Sequence, residues 1–298
     1  MLKAFSAPGK FWRGNIHGHS DLSDGAIDPA EVCRRYKAQG YDFIALTDHF
    51  LEKYDFPVAD TRGYRDEQFT TILGAEVHAP ETSHGEIWHI LAVGLPLDFA
   101  PTGVDETGPQ LARRCAAAGA FVAVAHPQWY QIGLEDALSI DVAHAVEVYN
   151  HINHVNCDRG DGAALFDQLL ARGKRLGCIA ADDSHWKADD AFGGWVMVKA
   201  TENTPEALLE ALKAGQYYAT QGPLINNITR QERSVTLETS AAQSVMLVGL
   251  TSCSVWTHGR SMTRVELPLD RFQGGWCRAV VVDAAGRRAW SNPLWLDT

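Results

Sequence analysis

The sequence predicts an α/β protein: a distorted seven-stranded (β/α)7 barrel over residues 1–222, followed by a small antiparallel β-sandwich over residues 223–298. Three observations predict it. Short apolar runs of strand length alternate with helical patterns through the first two thirds of the chain, the signature of parallel strands joined by crossovers. After Gly222 and Pro223 the helical patterns stop, and only short alternating runs separated by turn residues remain. Finally, 298 residues with 46% hydrophobic content suffice for a barrel-sized core and a second, smaller one.

The opening stretch "MLKAFSAPGKFW" lacks the apolar core of a signal peptide, and no later run approaches the length of a membrane span. A soluble, cytoplasmic protein is expected. "DPAEVCRRYKAQG" reads as a helix: Asp28 caps it, Pro29 suits its first turn, Glu31 completes a capping box and Gly40 ends it. Buried strands are expected at "YDFIALTDH", "TTILGAEV", "WHILAVGL", "AFVAVAHP", "AVEVYN" and "RLGCIAADDSH", with helices at "LARRCAAAG" and "GAALFDQLLARG" between some of them. A last helix, "TPEALLEALKAGQ", has Thr204 as its cap and Pro205 in its first turn, and it leads into "YYATQGP". Beyond it, "SVTLETS", "SVMLVGL", "SVWTHG", "TRVELPL", "WCRAVVVDAAGRRAW" and "NPLWL" are β-type runs, in which Trp256, Trp276, Trp290 and Trp295 read as core and interface residues.

The formal charge of -11 argues against a surface for long nucleic acids, whose binding rests on lysine and arginine neutralising phosphates. The six cysteines are scattered, with no Cys-x-x-Cys pair, and read as reduced, mostly buried thiols. The expected partner is a small molecule, with no membrane. The state of assembly is left open.

The candidate chemistry begins in "NIHGHSDLSDG". His17 and His19 are two residues apart, so in extended chain they face the same side, and Asp24 lies in the following turn, near enough to fold back over them. His49 ends the second strand, Glu76 ends the third, His89 opens the fourth, His126 ends the fifth, and Asp183 and His185 end the seventh. Barrels of this class build their sites at strand ends. Neutral imidazole with carboxylate suits zinc, manganese or iron, and buried charged groups require a partner. Asp182 competes with Asp183, which shares strand parity with His185; His84 competes with His89, but it lies in a loop.

These stretches resemble the polymerase and histidinol phosphatase superfamily, called PHP. Its four motifs appear as "HGHSDLSDG", "TDH", "GAE" with the later "WHIL" and "AHP", and "ADDSH", over roughly residues 13–222. The resemblance implies a seven-stranded barrel with helices outside and a cluster of two to three divalent ions. It implies that His17, His19, Glu76 and Asp183 hold the first ion, with Glu76 bridging. Glu76, His89 and His126 would hold the second, and Asp24, His49 and His185 the third. The layout of the carboxy-terminal region is similar to the carbaryl-hydrolase-like branch of that superfamily.

The function expected from this set is cleavage of a small phosphomonoester or phosphodiester by a metal-bridging hydroxide. The alternative is a carbamate, ester or amide hydrolase using the same ions. A serine triad around Ser184 is disfavoured, because its neighbours Asp183 and His185 are taken as ligands. His78 shares strand parity with Glu76 and is, with His185, a candidate for direct participation in the reaction. Lys187, Asn150 and His84 are the candidates for substrate contact. Lys53, Arg62 and Arg65 after the second strand, and His151 and His154 after the sixth, are further positions where substrate could be met.

Overall fold

Where an apolar stripe follows a capping residue, the chain forms a helix; where apolar residues run together, it forms a buried strand. The computed structural model describes residues 2–272 and 274–296. It begins with α1 (Lys3–Ser6), β1 (Lys10–Asn15), α2 (Pro29–Ala38), β2 (Phe43–Leu46) and the two-residue β3 (His49–Phe50). Next come β4 (Thr70–Val77), β5 (Ile90–Val93), α3 (Gly108–Ala117), β6 (Phe121–Val124), α4 (Leu134–Ser139) and β7 (Ala145–Asn150). They are followed by α5 (His151–Cys157), α6 (Ala163–Ala171), β8 (Gly177–Ala181), β9 (Trp195–Ala200), α7 (Pro205–Lys213) and β10 (Tyr217–Thr220). The chain ends in β11 (Ile225–Arg230), β12 (Ser234–Gly249), β13 (Ser254–Pro268), β14 (Trp276–Val282), β15 (Arg288–Ser291) and β16 (Leu294–Trp295).

The caps act largely as their sequences demand. The Asp28 carboxylate accepts from the Glu31 amide at 2.8 Å, and the Thr204 hydroxyl accepts from the Ala207 amide at 3.3 Å. Glu31 departs from the expected capping box: its carboxylate takes hydrogen bonds from Arg34 and Arg35, on the turn that follows. Charged guanidinium donors compete better than one solvent-exposed amide. Each long helix buries one stripe, such as Leu111, Ala112 and Cys115 on α3, or Phe166, Leu169 and Leu170 on α6. Each such large side chain contributes roughly 1.5–3 kcal/mol on leaving water.

The strands follow one another in a single open series, β11-β12-β14-β15-β10-β9-β1-β2-β4-β5-β6-β7-β8. Two features correct the expected barrel of parallel strands. First, β5 runs antiparallel to both β4 and β6. The chain from Val77 to Ile90 turns straight back through Thr82–Gly85 without a helix, and a direct return can only give an antiparallel neighbour. Second, β8 ends the series and has no ladder to β1, whose far side is filled by the antiparallel β9. The two ends approach beyond the strands instead, at the Gly18–Ser184 bridge, where His19 and Asp183 donate backbone bonds to Ser184 and His17 at 2.9 Å each. The architecture is thus a mixed α/β fold around one large, curled sheet. β9 and β10, which carry plain apolar and aromatic runs, were not among the expected strands.

After Pro223 the chain is all strand, as its pattern indicates, but these strands do not form a sheet apart: β15 pairs with β10 and so joins them to the rest. Alternation sorts their side chains. Val245, Leu247, Cys277, Ala279 and Val281 pack into one core with Leu237 and Ile228. Their neighbours Trp276, Val280 and Trp290 point the other way, into the core that contains Phe166 and Tyr149. Arg278, buried, donates two bonds of 2.7 and 2.8 Å to Asp167 of α6. Asn292 accepts from the Cys178 amide at 2.8 Å and donates to the carbonyls of Gly215 and Tyr217, linking the free edge of β8 to the start of β10. All six cysteines are free thiols, four of them buried. Among the described residues, no helix is long and apolar enough to cross a membrane.

Candidate metal centre

The stretch after β1 is fastened before it can carry chemistry. Gly18 accepts from the Thr47 amide at 2.8 Å and donates to the Thr47 hydroxyl at 3.1 Å, which fixes His17 and His19 on either side of it. Asp48 then accepts from the Ser20 amide and the Ser20 and Ser23 hydroxyls, all within 2.8 Å, and so shapes the turn. A Cβ on Gly25 would lie 2.8 Å from the Ser20 backbone; glycine is what lets this turn close and return Asp24 to the mouth. Opposite it, Asp183 takes a left-handed backbone, φ 55°, just past β8. That conformation costs energy in a non-glycine residue and re-aims the carboxylate toward His17 and His19.

Register does the rest. β3 pairs His49 beside Glu76, and β4 pairs Glu76 beside Leu91, near the start of the strand opened by His89. The Glu76 carboxylate becomes the centre: His49 Nδ1, His89 Nδ1 and His126 Nε2 lie 2.7, 2.8 and 2.8 Å away. His17 Nε2, His19 Nε2 and His78 Nε2 stand at 3.8, 3.7 and 3.7 Å. Asp183 Oδ1 is 3.3 Å from His17 Nε2 and 2.9 Å from His19 Nε2. Asp24 Oδ1 is 3.5 Å from His49 Nε2 and 3.2 Å from His185 Nε2. All nine side chains expected as ligands therefore meet at one end of the sheet.

Burial works against every charge here, and neighbours offset it unequally. Glu76 is held well below the usual carboxylate range despite burial, by His89 and His49; Asp183 likewise, by His17 and His19. Burial, with His185 and His49 nearby, drives His19 down to about 3. Against burial, Asp183 and Glu147 hold His17 well above its ordinary value, and Asp24 lifts His185 to about 9.

Four buried atoms in this cluster, His17 Nε2, Glu76 Oε2, Asp24 Oδ1 and His126 Nδ1, have no hydrogen-bond partner. Stranding such atoms costs about 1–3 kcal/mol each unless something else binds them. Imidazole nitrogens and ionised carboxylates around a shared space fit divalent cations. Four overlapping sets have ligand atoms close enough to share an ion: His17, His19 and Glu76; His17, His126 and Asp183; His19, Asp24, His49 and His185; and His49, Glu76, His78 and His89. The grouping differs from the one the resemblance implied: Asp24, His49 and His185 fall within one set, but Asp183 and His126 group with His17, His78 joins Glu76 and His89, and His17, His19, His49 and Glu76 each belong to two sets.

The remaining candidates fall in different places. Asp182 points away: it accepts from Tyr36 and from the amides of Phe192, Gly193 and Gly194, each at 2.8 Å. Ser184 is buried with its hydroxyl 3.0 Å from Tyr36, turned from the cluster. His78 donates from Nδ1 to the Trp88 carbonyl at 2.9 Å, and its Nε2 lies 3.0 Å from His49 Nδ1. A neutral His78 thus offers the cluster an acceptor rather than a proton, and burial keeps it neutral by lowering its pKa well below the ordinary value. Asn150 is buried and donates to Glu147 and Asp183 at 3.0 and 3.1 Å, so it touches the cluster through those carboxylates.

Lys187 Nζ is 3.6 Å from Asp24 Oδ2, on an exposed side chain at the rim. His84 is exposed in the turn before β5. Arg62 pairs with Asp60, and Arg65 donates to Thr71. Lys53 lies over the Tyr54 ring, whose centroid is 6.4 Å from His49. His151 meets the Tyr149 hydroxyl at 2.8 Å, and His154 is exposed.

Sequence reasoning missed Glu147, whose oxygens reach His17 Nδ1 and the His126 amide at 2.6 Å each. The signal was present: a lone carboxylate inside the apolar run "AVEVYN". It also missed Asp190, which takes the His185 and Trp186 amides, and Trp129, 40% exposed, whose ring stands edge-on to His89 and His126 at 5.3 and 5.2 Å.

Comparison with known proteins bears on this arrangement. An uncharacterized protein of Methanocaldococcus jannaschii, MJ1295, is 23% identical over 203 residues, 66% of this chain and 84% of that one. A two-domain protein from Bacteroides vulgatus, containing a predicted PHP-like metal-dependent phosphoesterase, superposes with a TM-score of 0.55 at 18% identity, over 94% of each chain. An amidohydrolase from Chromobacterium violaceum superposes more loosely, with a TM-score of 0.42 at 16% identity, over 59% of this chain and 89% of that one. The second likeness shows a shared fold, C-terminal strands included; the third carries no argument. The PHP domain matches residues 15–270, a stretch that takes in every side chain of the cluster and runs on through β13. Motifs, cluster and family match agree, and the chain belongs to the PHP domain family.

Proposed function

We propose that this protein is a metal-dependent hydrolase that cleaves a phosphomonoester or phosphodiester of a small molecule. The observation that carries the reading is the convergence on Glu76, where imidazoles from five separate segments surround one buried carboxylate whose Oε2 has no hydrogen bond. His17, His19, Glu76 and Asp183 hold one ion in this reading; Glu76, His89 and His126 hold a second; Asp24, His49 and His185 hold a third. Zinc, manganese and iron suit these donors. When bound, such ions supply an acidified water and neutralise charge on the oxygens of the scissile group.

The chain's own residues divide the other tasks. Asn150 and the left-handed backbone at Asp183 aim that carboxylate, and Asp48 holds the turn that brings Asp24 over the mouth. His78 acts through His49, whose Nδ1 it receives, so that His49 Nε2 faces Asp24. Lys187 stands at the rim, where a substrate oxygen can compete for it with Asp24. Trp129 walls one side of the entrance. The catalytic unit is assigned to residues 1–222 and an accessory unit to residues 223–298.

A second reading keeps the ions and changes the bond, to a carbamate, ester or amide. One observation favours it: Lys187, the cation at the rim, is engaged by Asp24, while Arg62 and Arg65 are held by Asp60 and by Thr71 at the start of β4, the far end of that strand from Glu76, leaving little to meet a doubly charged phosphate. The two separate in one experiment. Protein loaded with zinc, manganese or iron is given an aryl phosphomonoester, an aryl phosphodiester and an aryl carbamate. Release of phenol from either phosphate is the expected result. Turnover of the carbamate alone replaces the first reading with the second, and no turnover of any by protein that carries its ions overturns both.

A further inference from the structure

Glu147 has no place in the ligand sets above, yet it is fully buried, and its contacts reach three of their members. It lies on β7 at a register irregularity: Glu147 pairs with Ile179 and Tyr149 with Ala180, so one residue between them is extra. While Val146 and Val148 face the helices' side of the sheet, Glu147 faces the cluster. One oxygen, Oε1, lies 2.6 Å from His17 Nδ1. The other, Oε2, accepts from the His126 amide at 2.6 Å and from Asn150 Nδ2 at 3.0 Å, and Asn150 passes the contact on to Asp183 at 3.1 Å.

We propose that Glu147 is a positioning residue that presents His17 Nε2 to a metal ion. The proposal rests on the metal-dependent reading above. An ionised carboxylate has no proton to give, so the bond to His17 requires that Nδ1 carry the hydrogen. A ligating imidazole is neutral, so its lone pair is then on Nε2, the atom that is buried without a hydrogen-bond partner, 3.3 Å from Asp183 Oδ1 and 3.8 Å from Glu76 Oε2. A carboxylate behind a ligating imidazole fixes both its tautomer and its orientation.

The same geometry says what an isosteric change does. In Glu147→Gln, two donors, the His126 amide and Asn150, face the Oε2 position, while only one contact faces the Oε1 position. The amide oxygen belongs where the two donors are. The amide NH2 then faces His17 Nδ1, which must become an acceptor, and the proton moves to Nε2. A change that removes no atom from the core thereby withdraws His17 as a ligand.

The test uses the full chain loaded with zinc alone, with zinc content measured by elemental analysis and affinity by chelator competition. Long-range nitrogen–proton spectra of ¹⁵N-histidine-labelled protein, assigned with His17→Ala, report which ring nitrogen binds. Expected in the wild type is zinc on His17 Nε2 with Nδ1 protonated; expected in Glu147→Gln, at an unchanged circular dichroism spectrum, is affinity weaker by about 10- to 100-fold and an Nε2-protonated His17. Zinc on Nδ1 in the wild type overturns the proposal without recourse to any variant, so failure of Glu147→Gln to fold does not shelter it. His17→Ala losing zinc while Glu147→Gln keeps wild-type affinity overturns the role of Glu147 and leaves the metal-dependent reading standing. Wild-type protein with no zinc at His17 overturns both.

Discussion

Around Glu76, six imidazoles come within 3.8 Å of one carboxylate that is wholly removed from water. In β12 and β14 the residues buried to the same degree are Val235, Leu237, Val245, Leu247, Cys277, Ala279 and Val281. Both regions belong to one sheet and obey the same period of two. In the C-terminal strands the alternation delivers hydrocarbon to hydrocarbon, and packing completes itself. At the strand ends it delivers donors and acceptors to a space where several find no partner within the chain. The contrast teaches that one region is complete within the chain and the other is not. It is a polar defect that the surrounding apolar packing tolerates, and its free atoms are what an ion would bind.

Changes in the two regions should therefore read out differently. The largest effect is expected from Glu76→Ala: metal content falls by at least one equivalent, and kcat/KM on the substrate found above falls by about 10³-fold, near 4 kcal/mol at the transition state. The metal-free variant should also melt lower than the metal-free wild type, because Glu76 is the carboxylate the surrounding imidazoles hold ionised, and its removal leaves them without their buried partner. An unchanged melting temperature, measured by calorimetry in the presence of a chelator, would show that the cluster contributes nothing to the fold without its ions.

Next comes the converse change, Leu247→Ala, in the core of the C-terminal strands. It should cost roughly 2–5 kcal/mol in denaturant unfolding, while metal content per folded chain stays at the wild-type value. Loss of metal in folded protein would mean that the two regions are one cooperative unit at the level of the site.

The smallest effect sharpens the border between them. Asp182 is buried beside the cluster but bonded away from it, and burial lifts its pKa to about 6. A carboxyl raised above its unfolded value near 4 contributes stability that is fully present below pH 4 and lost as pH rises through about 6. Chelated wild-type protein should therefore lose about 2–3 kcal/mol relative to Asp182→Asn between pH 4 and pH 7. Equal pH slopes for the two chains would mean that Asp182 is ionised throughout and that its four hydrogen bonds offset its burial.

Much of this was legible before folding. His17 and His19 two apart, His49, Glu76 and His126 at the ends of apolar runs, and Asp183 with His185 were readable because strand periodicity fixes which side chains share a face. Asp183 was separated from Asp182 by strand parity with His185 and by the Asp-x-His spacing of the PHP motifs, and the structure turns Asp182 to Tyr36 and the 192–194 backbone. Glu147 was not seen, because one acidic residue in a buried run says nothing about its partner 130 positions away. Trp129 was missed for the same reason: its meaning lies in contact with His89 and His126, and the chain brings those rings together from separate elements.

By itself the sequence determined many of the local elements, the caps at Asp28 and Thr204, the change to β structure after Pro223, and nine of the ten side chains that share the possible ligand sets. Those depend on propensity and periodicity, which act over a few residues. Only the tertiary structure decided that β5 runs antiparallel, that the sheet stays open at β8, and that β15 ties the last strands to β10. It alone decided which nitrogen of His17 faces Asp183 and which faces Glu147. Strand direction, edge pairing and ring orientation are settled by contacts between segments far apart in the chain. Their energies exist only once those segments have met.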